Sequence, residues 1–311
     1  MLDPQAERAL KALAAHNAQA GPNPTPAQLR ALYLGRRHFT EPAQEPVSLS
    51  RDHTLASGDA RMVVREIRPA QASAEQVLPA LIYLHGGGWM VGSIDSHDGL
   101  CRALSNAAGC AVFSVDYRLA PEHRFPAAFE DALAAHGWLV GRASELRISP
   151  ERIAVAGDSA GGSLAAAACL GLRGQPHAPT FQLLIYPSTV MRTDTPSYQA
   201  HAEGRGLTRA GMAAYIQAYM GPDRPLDDWR ASPLLAPSLQ GLPPALVLTA
   251  GFDPLRDDGL LYADALPHAG VTSQYLCFER QIHGFLLLGK IIDESRTALE
   301  VCAAALRRAF A

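Results

Sequence analysis

No apolar stretch in this sequence approaches the roughly 18 residues that a membrane-spanning helix requires; the most apolar segments, at 165–170 and 286–292, are short or interrupted. Stable membrane insertion is therefore not expected. Charge of a single sign is equally scarce: 27 lysines and arginines face 30 aspartates and glutamates, a net of −3, without a long block of either. That excludes the basic footprint of a nucleic-acid binder and the polybasic tract of a protein held on anionic membranes. A small, weakly polar molecule is the expected partner. Cysteine is sparse, and Cys101, Cys110, Cys169, Cys277 and Cys302 include no C-x-x-C pair. An odd, unpatterned set points to free thiols in a reducing compartment. The N-terminus lacks the apolar core and small-residue cleavage site of a secretory leader, so a cytoplasmic location is expected. Internal repeats and low-complexity tracts are absent as well.

What the 311 residues do contain is 48% apolar side chains and only 18% charged ones, enough to bury one large core with a small accessory layer. Asp3 before Pro4 caps a first helix, and Thr25-Pro26 with Gln28 forms a capping box for a second. β-rich segments follow at 47–55, 62–67, 80–84, 110–116, 153–156, 182–186, 245–249 and 271–278. Helical patterns lie between them at 97–108, 127–142, 159–172 and 259–269, with a last one at 294–310. Several of the strands are short apolar runs without alternation, as expected where both faces are covered. The alternation predicts an α/β fold with a mostly parallel sheet between helical layers. One section breaks the rhythm: a helix opened by Thr208 and stopped at Gly221 carries Met212, Tyr215, Ile216, Tyr219 and Met220 on one side. The expected division is a helical cap segment at 1–45, a first core segment at 46–188, a cap insertion at 189–225 and a second core segment at 226–311.

The chemistry is carried by three separated stretches. Gly157-Asp158-Ser159-Ala160-Gly161 is a G-x-S-x-G pattern between a β-rich run and an Ala/Leu-rich helix, where a nucleophile elbow sits. His85-Gly86-Gly87-Gly88-Trp89 follows a buried strand, and three glycines are costly to order unless backbone must approach a ligand closely. The amides of Gly86 and Gly87, with that of Ala160, are the expected oxyanion donors. His85 is expected to fix the loop and Asp158 to support the nucleophile. Asp253, directly after the strand at 245–249, is the expected acid, and His283, after the last strand, the expected base. The order Ser159, Asp253, His283 is that of α/β-hydrolases. Gly88, Trp89, Tyr33, Tyr215 and Tyr219 are candidates for the substrate pocket. No H-x-x-x-H or H-E-x-x-H links His97, His123, His136, Asp116 and Glu122, so neither a metal nor a cofactor is expected.

These motifs, with Asp116-Tyr117-Arg118-Leu119-Ala120-Pro121-Glu122, Phe125-Pro126-Ala127, Tyr186-Pro187, Ser232-Pro233, Asp253-Pro254-Leu255-Arg256-Asp257 and His283-Gly284-Phe285, run in one order along nearly the full chain. In this the sequence resembles the hormone-sensitive-lipase-like branch of bacterial esterases and carboxylesterases. The resemblance implies the α/β-hydrolase fold with an eight-stranded sheet and a cap, and hydrolysis of esters with short to medium acyl chains. It also implies that Arg118 and Glu122 support the core beside the site and do no chemistry. Acetylated sugars, aryl esters or lactones are the alternative substrates, and a non-catalytic small-molecule receptor is the alternative from another class. A homodimer would be ordinary for such a protein.

Overall fold

The fold is described from a computed structural model covering residues 1–57 and 60–311. The first helices are α1 (Pro4–Asn17), α2 (Pro26–Gly35) and α3 (Arg37–Thr40). The Asp3 carboxylate caps α1, and the Thr25/Gln28 capping box closes both ways at the start of α2. Strands β1 (Leu49–Ser57), β2 (Ala60–Arg68) and β3 (Leu78–Leu84) lead to α4 (Asp98–Ala108) and β4 (Ala111–Asp116). Then come α5 (Ala127–Gly141), β5 (Ile148–Asp158), α6 (Ala160–Leu172), β6 (Phe181–Ile185), α7 (Pro196–Ala200) and α8 (Arg209–Met220). The chain ends with β7 (Ala245–Phe252), α9 (Arg256–His268), β8 (Ser273–Ile282) and α10 (Glu294–Phe310).

The strands form one eight-stranded sheet in the order β1-β2-β4-β3-β5-β6-β7-β8. β1, β2 and β4 pair antiparallel, and every pairing from β4 through β3 to β8 is parallel. The central strands are buried on both faces, which is why they read as unbroken apolar runs. One core layer lies under α5, α6 and α9; the other is closed by α1, α4 and α10. Ala6 and Ala9 of α1 are fully buried in the second layer, so this helix is held to the body of the protein by packing as well as by its cap.

Two departures from the sequence expectation matter for the site. β8 does not end near residue 278 but runs on to Ile282, paired with β7 as far as Phe252↔Ile282. Its exposed, mixed-polarity composition as an edge strand hides this extension from pattern reading. Gly251 makes the extension possible, because a Cβ there would run into the Glu279 backbone at the register shift between Ala250 and Phe252. The short α3 and α7 also lie outside the expected helices; neither is long enough to show a helical apolar period.

Candidate active site

The elements converge at the carboxyl ends of the parallel strands. Leu84 of β3 pairs with Gly157 of β5, so the loop that starts at His85 runs beside the β5–α6 turn. Ser159 in that turn has φ 56° and ψ −119°, a strained conformation that lifts its side chain away from the strand line. The turn is possible only because Gly157 and Gly161 lack side chains: a Cβ on either would collide with backbone of the facing loop or turn, including the Leu84 carbonyl. At the far side of the sheet, the pairing of Phe252 with Ile282 sets the next residues, Asp253 and His283, side by side.

His283 Nε2 lies 2.9 Å from Ser159 Oγ, and its Nδ1 lies 2.7 Å from Asp253 Oδ2. An ionised carboxylate can only accept, so Nδ1 carries the ring proton and Nε2 is left to accept from the serine hydroxyl. Asp253 is fully buried, and its Oδ1 accepts the Leu255 amide at 2.8 Å. The Tyr186 ring packs against the imidazole in an edge-type contact, the two ring centroids 4.8 Å apart, and steadies the base.

The glycine loop is organised around Asp158. Its Oδ1 accepts the Tyr83 hydroxyl at 2.9 Å and the Gly86 amide at 2.8 Å, and stands 3.1 Å from His97 Nε2. Burial alone would raise this carboxyl's pKa; the His97 imidazole and the donated hydrogen bonds outweigh it and hold the group below its usual range. The Gly86 amide, expected from the sequence to face an oxyanion, is therefore occupied inside the protein. The amides of Gly87, Gly88 and Ala160 donate to no acceptor among the described residues. His85 anchors the loop's start, with Nδ1 2.9 Å from the Gly86 carbonyl and its ring stacked on Tyr117. Burial, aided by His97, pushes its pKa down to about 3, which keeps the ring neutral.

A cavity of about 340 Å³ opens over Ser159 and His283. Leu13 of α1, Leu29, Leu32 and Tyr33 of α2, and Met212 and Tyr215 of α8 line it. Gly88 lines it too, directly under the Tyr215 ring. Trp89 and Tyr219 do not: Trp89, at φ 56°, turns its indole inward to stack on Tyr219 at 4.8 Å, and both are buried in the core. Arg118 and Glu122, both implied to support the core beside the site, are held by different partners. Arg118 binds Asp131 at 2.8 Å, whereas Glu122 binds Arg30 of α2 at 2.6 Å. The roles of His97 and Tyr186 were not foreseen: His97 was weighed only as one of a scatter of metal donors and Tyr186 only as part of the Tyr186-Pro187 motif, whereas the structure sets them against Asp158 and His283.

A serine, histidine and aspartate hydrogen-bonded in line at the carboxyl edge of a parallel, helix-flanked sheet define a hydrolase with a serine nucleophile. The family profile described as alpha/beta hydrolase fold matches residues 81–287, and the chain belongs to that family. Its curated relatives include the ethyl acetate hydrolase of Pseudomonas putida, 41% identical over 88% of this chain and 89% of that protein. The carboxylesterase NlhH of Mycobacterium tuberculosis is 42% identical over 75% of this chain and 74% of its own length. Among solved structures, a hyperthermophilic esterase from Pyrobaculum calidifontis superposes with a TM-score of 0.92 at 37% identity, over 99% of this chain and 98% of that one. The resemblance drawn from the motifs agrees with these likenesses.

Proposed function

We propose that this chain is a serine carboxylesterase that hydrolyses carboxylic esters with short to medium acyl chains through an acyl-enzyme on Ser159. The observation that carries the reading is the unbroken line of hydrogen bonds from Ser159 through His283 to Asp253, opening into a mostly apolar cavity beside the glycine loop. The ester-hydrolase names of relatives about two-fifths identical support it.

His283 Nε2 takes the hydroxyl proton as Ser159 Oγ attacks the ester carbonyl, and the carbonyl electron pair moves onto oxygen. Asp253 holds the imidazole in the required tautomer and stabilises the imidazolium. The amides of Gly87, Gly88 and Ala160 receive the oxyanion; Gly88 takes the place expected of Gly86, whose N–H serves Asp158. When the intermediate collapses, the alcohol leaves with the proton from His283. A water then repeats the sequence on the acyl-enzyme and releases the acid. Serine, histidine and water close the proton balance, so the reaction needs no cofactor.

In this reading residues 1–45 and 189–225 act together as a cap, since both contribute to the cavity lining, and the protein works as a homodimer, a state that sedimentation equilibrium measures. The test of function is a series of 4-nitrophenyl esters of increasing acyl length, run with the wild type and with Ser159→Ala. Wild-type turnover should be best among short to medium acyl groups. Ser159→Ala should lose at least about 10⁴-fold in kcat, as removal of a nucleophile does in other serine hydrolases. Turnover left intact in the variant would end this assignment.

A further inference from the structure

We propose that the site accepts esters bearing a carboxylate, such as half-esters of short dicarboxylic acids, and that Arg36 is the residue that binds this second charge. The inference rests on the esterase reading above and concerns its substrate class. Arg36 caps the C-terminal end of α2 and lines the cavity over Ser159 and His283, where it is the only lysine or arginine among the described residues. The cavity's one carboxylate besides it, Asp158, is already engaged by Tyr83, Gly86 and His97.

Arg36 makes no ion pair among the described residues, and this sets it apart from its neighbours. Arg30, earlier on the same helix, is bound by Glu122 at 2.6 Å, and Arg37, the next residue, by Glu41 at 2.6 Å. A second cavity of about 840 Å³ shares Arg36 and Leu287 with the first. Its other arginines, Arg37 and Arg296, are matched by Glu41 and Glu300, at 2.6 and 3.2 Å. At the boundary between the two spaces one guanidinium is left without an anion. A partly buried cation without a counter-charge costs stability unless something else offsets it.

The guanidinium carbon of Arg36 sits 3.4 Å from the centroid of the Tyr33 ring. Stacking of this kind is attractive, and it also fixes an orientation. The five N–H donors of a guanidinium lie in its plane, so a stacked face leaves the donor edges available for two parallel bonds to a carboxylate. Tyr33 itself cannot serve as the missing anion, since burial pushes its hydroxyl up to about 12 despite the opposing effect of Arg36. A leaving or acyl group with a carboxylate would therefore meet a pre-oriented fork at the cavity wall, with the larger space beyond for its remaining length.

Two matched pairs test this: mono-4-nitrophenyl glutarate against 4-nitrophenyl valerate, with the charge on the acyl part, and 4-acetoxybenzoate against 4-methylphenyl acetate, with it on the alcohol part. The readout is the ratio of kcat/KM, charged over neutral, so general damage to the site cancels. In Arg36→Gln that ratio should fall about tenfold for at least one pair, mostly through KM, in line with the loss of a charge-assisted bond. Arg36→Lys should keep part of the preference, and added salt should erode it in the wild type. Ratios unchanged in Arg36→Gln for both pairs would overturn the proposal. If instead the wild type hydrolyses neither neutral ester, the esterase reading is what fails.

Discussion

Asp258 is a carboxyl group the chemistry does not use, and its surroundings are costly. It is fully buried in α9, and among the described residues neither of its carboxyl oxygens has a hydrogen-bond partner. Burial first, then the nearby charge of Asp253, pushes its pKa well above the usual carboxylate range. In the unfolded chain it ionises near the ordinary value of about 3.9. The neutral form's contribution to stability is thus fully present below that value and is lost as pH rises through the folded one. Asp258→Asn cannot ionise, so its melting temperature relative to wild type should rise between pH 5 and pH 9. About 2–4 °C corresponds to each kcal/mol in domains of 150–250 residues; thermal melts across that range measure it, and a flat difference would mean that Asp258 is ionised in the fold. Gly88 gives a kinetic counterpart. At φ 60°, with the Tyr215 ring 2.5 Å from where a Cβ would stand, it tolerates no side chain without a shift of its own backbone or of Tyr215. Gly88→Ala should lower kcat by about 10²-fold or more, the size of losing one oxyanion donor; a change under threefold would remove Gly88 from that role.

Arg30 is a side chain of α2 that reaches into the body of the protein. Arg30 donates to both carboxylate oxygens of Glu122, to the Met90 carbonyl at 3.0 Å and to the Ala120 carbonyl at 3.0 Å. The ion pair is half-exposed and contributes little, about 0–1 kcal/mol. The two bonds to carbonyls are worth about 1 kcal/mol each, and they clamp the helix that carries Tyr33 and Arg36 to the segments after the glycine loop and after β4. Arg30→Met should raise KM for neutral esters several-fold and lower the melting temperature by a few degrees, while Glu122→Gln, which leaves the carbonyl bonds in place, should do less of both. Steady-state kinetics with thermal melts on the two variants separate these outcomes; equal effects would locate the clamp in the ion pair. β8 shows the reverse dependence. As an edge strand its sequence is ambiguous, yet its last pairing, made possible by Gly251, aligns Asp253 with His283.

Across the molecule, features whose cause lies within a few residues were legible in advance. The Thr25/Gln28 box, the Asp3–Pro4 helix start, the buried strands and α10 follow from local capping, backbone restriction and apolar period, and the structure has them at or near the expected positions. The tight turn around Ser159 belongs with them, because only glycine fits at 157 and 161. The partners of polar groups were not legible. Arg118 with Asp131, Arg30 with Glu122 and Gly86 with Asp158 are choices among groups brought close by folding, and no spacing along the chain encodes them. The same holds for aromatic side chains: Tyr33 and Tyr215 reach the cavity while Trp89 and Tyr219 fill the core.

The amino-acid order alone therefore determined the kind of chemistry and the layered sheet that supports it, since a nucleophile turn, glycine-rich loop and strand–helix rhythm are each dictated by short-range sterics. Which amides of the glycine loop stay unbonded, which histidine steadies Asp158, and which arginine faces the cavity without an anion among the described residues were decided only by the tertiary structure. Hydrogen bonds and ion pairs act over a few ångströms, and residues such as Gly86 and Asp158, 72 positions apart, or Arg30 and Glu122, 92 apart, come that close only after the sheet has brought its loops together.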